Sequence, residues 1–223
     1  MARLSYPQAG EPRPAALPPE QRTVGQLVAE SIRIYGERFR VGLLLGIGPA
    51  ALAVLIAHVS RKEWLVLAPT VAGPVLSACY AAACVLVLER RPPARRLAAA
   101  WAYGWLVLVP VPFIVLGFVL PALAWLAAVG LVVPVLVVED TPPRAALARA
   151  WRLARAGYVH ALGSLATLGL LGILAQVVLV FLLRGVGGAA IEVAAVLANV
   201  VISPLLFIGA ALLYTDQAAR VKE

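Results

Sequence analysis

The sequence is poor in charge. Aspartate, glutamate, lysine and arginine make up 13% of its 223 residues, where a soluble domain carries about 25%. Hydrophobic residues reach 62%, and mean hydropathy is +0.93. A soluble globule is excluded, and an all-α integral membrane protein is predicted. Acid is the scarcer sign, with 11 acidic residues against 19 basic ones and a net charge of +8. In a soluble protein that excess would suggest nucleic acid. Here the cations flank apolar runs, so the expected partners are membrane lipids with anionic headgroups, and not nucleic acid.

Cysteine and histidine are nearly absent. Cys79 and Cys84 stand five residues apart in an apolar run. On a helix they point about 140° apart, so they neither pair nor build a metal site, and they read as small apolar filler. The two histidines are His58 and His160. The topology derived below separates them by about 30 Å of hydrocarbon. No HExxH, GxSxG or P-loop pattern occurs. Hydrolysis needs a nucleophile, base or metal held together. The expectation is no enzyme, no cofactor and no metal.

What the chain does have is one stretch written twice. Residues 85–101 read VLVLERRPPARRLAAAW, and 135–151 read VLVVEDTPPRAALARAW, with ten identities in seventeen at an offset of 50. An apolar run ends on Glu89 or Glu139, two prolines stop the helix, and a basic segment ending in Trp101 or Trp151 follows. On a helix over 144–158, Arg144, Arg149, Arg152 and Arg155 fall within an arc of about 140°. Leu147, Ala150, Trp151, Ala154 and Tyr158 take the other side. Such a helix lies on a membrane, with its arginines at phosphates and its Trp in the interface.

In order, 1–22 reads as a disordered proline-rich tail without the apolar core of a signal peptide. Thr23 with Gln26 forms a capping box. The helix over 23–40 is a third, diverged interfacial helix. Gln26, Glu30, Arg33, Glu37 and Arg40 share one face, and Val28, Ile32, Tyr35 and Phe39 the other. Apolar segments follow at 41–59, 64–88, 158–183 and 189–214. The region 104–138 must hold two short spans or a re-entrant hairpin, with a break near 117–121, because both basic copies belong on one side of the membrane. The expected fold is therefore six transmembrane helices in three hairpins, each preceded by an amphipathic interfacial helix. The modules are 23–90, 91–140 and 141–216, with a tail at 217–223. Sixteen of the 19 basic residues then lie on one side. That side is predicted to be the cytoplasmic face of the inner membrane, with both termini on it.

The stretch PVLVVEDTPPRAALARAWRLARAGYVHALG (134–163) and the ending LLYTDQAARVKE (212–223) resemble the bacterial glycerophosphoryl diester phosphodiesterase membrane-domain family. Tyr35, Arg38 and Phe39 ahead of the first span also fit, so the resemblance covers 23–223. It implies a six-helix membrane protein concerned with lipids or the envelope. It also implies the stand-alone form, since a catalytic barrel takes about 250 residues.

Three sets of candidate residues emerge. Arg95, Arg96, Arg149, Arg152 and Arg155, with Trp101 and Trp151, are candidates for gripping lipid headgroups. Glu89, Glu139 and Asp216 each close an apolar run at the inner face and are expected to neutralise neighbouring arginines. Gln176, Asn199, Ser203 and Glu192 are polar groups in the last two spans, where burial in lipid is expensive. They read either as a transporter's polar pocket beside Pro204 or as interhelical hydrogen bonding, with Glu192 reaching Arg184 at the outer interface. Gly42 and Gly46 form a GxxxG, and Gly169 with Gly172 has related spacing. Both suit close packing within one subunit or between subunits of an oligomer.

Overall fold

The computed structural model of the chain describes residues 18–184 and 190–221. Among them there is no strand, and six segments are long and apolar enough to cross a bilayer. The chain is an all-α, multi-pass membrane protein.

Helix α1 (Val24–Glu37) opens on the expected capping box, in which Gln26 Oε1 accepts from the Thr23 N–H at 2.8 Å. It buries Leu27, Val28, Ser31 and Tyr35. Ile32 and Phe39, of the same apolar set, stay 53% and 46% exposed. A soluble core would cover them, whereas a helix at a bilayer surface turns them to lipid. Arg33 bridges Glu30 and Glu37 on the opposite face, and its hydrogen bonds hold the Glu30 carboxyl below its ordinary range. A bend at Arg38 then leads into the first span, α2 (Phe39–Ala57).

The second span joins α3 (Arg61–Leu67) to α4 (Gly73–Leu88) through a wide π turn at Ala68–Ala72. In that register the Pro69 carbonyl needs the N–H of residue 74, which is a proline and has none. The Trp105 indole donates to it instead, at 2.6 Å, and Trp101 donates to the Pro74 carbonyl at 2.9 Å. In hydrocarbon an open carbonyl is costly, so two tryptophans of the third span complete the kinked second one. Trp101, placed in the headgroup set from sequence, faces this carbonyl.

The third span runs through α5 (Ala94–Leu108) and α6 (Val111–Gly117), and the fourth through α7 (Val119–Val129) and α8 (Val132–Val138). The region 104–138 therefore forms two span-length limbs that turn at Phe118, where the backbone is extended. Every α8 residue from Val132 to Val137 is buried.

One module differs from the expected plan. The second basic segment is not a separate interfacial helix, because α5 carries Arg95 and Arg96 into the third span without a break. The third module does break, at Gly157, between α9 (Pro143–Ala156) and α10 (Tyr158–Leu183). The aligned residue in the earlier copy is Val107, inside α5. A side chain suits the continuing helix there. At Gly157 an added Cβ would sit 2.9 Å from Gln217 Oε1.

The last helix, α11 (Ala190–Arg220), packs on α2, α10, α4 and α1. It overruns the expected end of the membrane domain at 216, and Gln217 is fully buried, so 217–220 is not a free tail. Residues 19–22 of the expected N-terminal tail are also packed on the bundle. Pro19–Gln21 forms a 3-10 turn packed on α11, and Arg22 pairs with Asp216. An arginine that meets a buried carboxylate fixes the segment before it. The rest of the predicted tail, 1–17, and residues 222–223 lie outside the described residues.

Candidate functional site

Four acid–arginine pairs gather at one end of the bundle. They are Arg22–Asp216 at 2.7 Å, Arg149–Glu139 at 3.1 Å, Arg38–Glu89 and Arg96–Asp140. Each acid singled out from sequence thus meets an arginine. Glu89 ends α4 with φ 51°, and Arg38 donates to the Leu86 carbonyl beside it, which closes that helix end. Arg96 comes from the first copy of the repeat and Asp140 from the second. Both copies therefore sit at the same end, as the even number of crossings between them requires. Arg22–Asp216 places both described ends of the chain there too.

Burial separates these pairs. Glu139 is 22% exposed and accepts from Arg149 Nε and from the Tyr214 hydroxyl at 3.0 Å. Asp216 is fully buried. It takes Arg22 on one oxygen and faces His160 Nε2 at 3.4 Å with the other, without hydrogen-bond geometry. Next to it, Gln217 donates to the Gly157 carbonyl at 2.9 Å, and Arg220 donates to the Arg22 carbonyl at 3.0 Å. Asp216 Oδ2, His160 Nε2, Gln217 Oε1 and Arg220 Nε remain buried without partners. Reading the sequence singled out Asp216 but not Arg22, His160, Gln217 or Arg220 as its neighbours. The available signal was topological, since the six-span scheme already put His160 and Asp216 at the same face.

The basic helix α9 has three edges rather than two. Ala146, Ala150, Leu153 and Ala154 are buried, and the helix packs on α7, α8 and α11. Leu147 and Trp151 are exposed and form an outward apolar edge, and just past the break the exposed Tyr158 of α10 donates its hydroxyl to the Ala124 carbonyl on α7 at 3.1 Å. Arg144, Arg152 and Arg155 are exposed on the third edge, with Arg155 stacked 5.1 Å over Trp151. Arg149 turns inward to Glu139 and is only 17% exposed, so it is a structural cation rather than a free one. Arg90, Arg91 and Arg95 are exposed at the same end.

The intramembrane polar candidates are arranged differently. Gln176, Asn199 and Ser203 line a cavity of about 190 Å³ between α10 and α11. Asn199 Nδ2 donates to the Ala195 carbonyl at 2.8 Å, and Ser203 donates to Asn199 Oδ1 at 3.1 Å, so these bonds close within α11. Gln176 is exposed. Glu192 is exposed at the far end of the bundle and does not meet Arg184, whose guanidinium lies 4.1 Å over Phe181.

Comparison with protein-family models, curated proteins and solved structures found no match to this chain.

Proposed function

We propose that the chain is a non-catalytic protein of a bacterial inner membrane that acts in membrane or envelope lipid homeostasis. Its arginine-bearing end faces the cytoplasm and grips anionic headgroups as a collar. The family resemblance of 134–163 and 212–223 agrees with this reading. One observation carries it, the three-edged helix α9. It is packed on the bundle by alanines, presents Leu147 and Trp151 outward, and leaves Arg144, Arg152 and Arg155 exposed beside them. Apolar contact and cationic contact then act on the same leaflet, each exposed arginine adding about 1 kcal/mol near an anionic surface. The test is lipid enrichment on purification from mixed bilayers. Arg152→Gln/Arg155→Gln should lower the co-purifying anionic fraction. An unchanged fraction defeats the collar.

A second reading rests on the cavity beside Gln176, Asn199 and Ser203, which suits a transporter or transporter subunit. Solute flux in proteoliposomes that is abolished by Asn199→Leu would favour it.

A further inference from the structure

The two copies of the repeat meet at a cavity of about 560 Å³, lined by Arg95 and Arg96 of α5, Leu136 of α8, and Asp140 and Thr141 of the following loop. We propose that this cavity binds the phosphate of a single membrane-lipid headgroup, with Arg95 and Arg96 as donors and Asp140 as a built-in competitor.

Charge is the first argument. Two guanidiniums face one carboxylate, and no other acid lines the cavity, so one positive charge is left over. The quality of the existing ion pair is the second. Asp140 is 86% exposed, the most exposed acid of the four pairs at the arginine-bearing end, while Arg96 is 25% exposed. An acid so exposed keeps most of its hydration, and such pairs are weak. Arg96 is held in place by the bundle and exchanges its partner at little cost. Arg95 is exposed and has no acid partner among the described residues. Arginine forks suit phosphate oxygens, and a phosphate offers more acceptors than the carboxylate it displaces.

Position is the third argument. Leu136 is almost fully buried and lies two residues before α8 ends at Val138, and with Ala99 it makes the floor of the cavity apolar. A lipid reaches it from within its own leaflet, and its chains stay in hydrocarbon. Glu139, beside Asp140, turns away to Arg149 and Tyr214 and leaves the opening clear of a second carboxylate.

The proposal rests on the collar reading in one respect: this end must face a phospholipid leaflet. It differs in predicting a saturable site at the start of α9, about two to three helical turns from Arg152 and Arg155. The test titrates the full 223-residue chain in detergent, with binding read by native mass spectrometry. The probes are dioctanoyl phosphatidate, dioctanoyl phosphatidylcholine and inorganic phosphate. Phosphatidate should bind one-to-one. Arg95→Gln/Arg96→Gln should weaken it about tenfold or more, and Asp140→Asn should tighten it about threefold or more. Arg152→Gln/Arg155→Gln should change it less than about twofold, since surface charges at this distance are screened. Phosphatidylcholine, whose phosphate is covered by choline, should bind more weakly. Equal binding by the Arg95/Arg96 variant overturns the site. Weaker binding by Asp140→Asn overturns the competitor role, and that variant keeps every arginine should the double variant not fold. Inorganic phosphate binding as tightly as the short-chain lipid overturns the assignment to lipid. Failure of the collar reads separately, as unchanged anionic enrichment in Arg152→Gln/Arg155→Gln with the saturable site intact.

Discussion

Gly46 offers a quantitative test of how the bundle is packed. A Cβ added there would lie 2.7 Å from both the Cα and the carbonyl carbon of Val200 on α11, and nearer still to the oxygen. Carbon atoms pack best at about 3.5–4.0 Å, so α2 and α11 must part by about 1 Å to admit alanine. The obstacle is backbone, and no change of rotamer relieves it. Overpacking of this kind costs about 1–3 kcal/mol. On the scaling of soluble domains this lowers the melting midpoint by about 2–12 °C, and Gly46→Val should lower it further.

The protein carries its own reporter, since Cys84 is fully buried and Cys79 partly so. A maleimide dye added during heating in detergent should label these thiols earlier in the variant. Gly169→Ala is the control, because no atom lies within 4 Å of its added Cβ. Its midpoint should hold or rise, as alanine favours a helix interior by about 0.5–1 kcal/mol over glycine. Equal midpoints for Gly46→Ala and the native chain would refute the packing argument. A loss of dimer at constant midpoint would instead assign Gly42 and Gly46 to a contact between chains.

Other outcomes follow from the ion pairs at the arginine-bearing end. Asp216→Ala should release the segment at Pro19–Arg22 and speed its hydrogen exchange. The cost should be about 1.5–3 kcal/mol, a charged hydrogen bond, because Arg22 is free to swing into water; unchanged exchange would show that the turn docks without the pair. Glu139→Gln should cost about 1–3 kcal/mol through Arg149 and Tyr214, and Glu139→Lys should reduce membrane yield. Glu89→Gln should cost under about 1 kcal/mol, because Glu89 is 69% exposed; the reverse order in thermal denaturation would break the ranking by burial. With both native cysteines replaced by alanine, Ala94→Cys and Ala148→Cys should be shielded from an impermeant maleimide in intact cells, while Lys62→Cys is labelled. Labelling of 94 and 148 from opposite sides would overturn the six-span scheme.

Periodicity and composition made the spans legible, because hydrocarbon imposes a length and a polarity on every crossing. Parity made the two limbs of 104–138 legible, since both basic copies had to share a side. The fate of the second basic segment was not legible. One copy breaks at Gly157, which packs against Gln217 from the far end of the chain, and the other, with Val107, continues, and no local pattern announces that contact. The acids Glu89, Glu139 and Asp216 were legible as arginine partners, but which arginine each would choose was not. Asp216 takes Arg22 from the opposite end of the chain, a choice set by the path of α11 rather than by any local pattern. Trp101 and Trp105 show the same limit. Their indoles answer prolines some 30 residues away, and no spacing rule links them.

The ring of ion pairs has a consequence for how the molecule opens. Arg22–Asp216 joins the segment before the first module to the end of the last, Arg96–Asp140 joins the two repeat copies, and Arg38–Glu89 and Arg149–Glu139 tie helix ends to their neighbours. Among the described residues every ion pair lies at this end of the bundle. The far end has no ion pair among the described residues. Apart from apolar contact, only local bonds such as that of Trp105 to the Pro69 carbonyl hold it, and its helices carry the π turn at Ala68–Ala72, the bend at Pro110 and the extended turn at Phe118. Segments with few anchoring contacts and interrupted helical bonds open at lower free energy than the rest of a fold. In detergent, hydrogen exchange over 60–72 and 111–121 should therefore run ahead of exchange over 80–88 and 132–138. Glu139→Gln should narrow that gap by speeding the second pair of segments. Uniform exchange along each span would mean that the arginine ring fastens nothing and that helix packing alone sets the stability of the bundle.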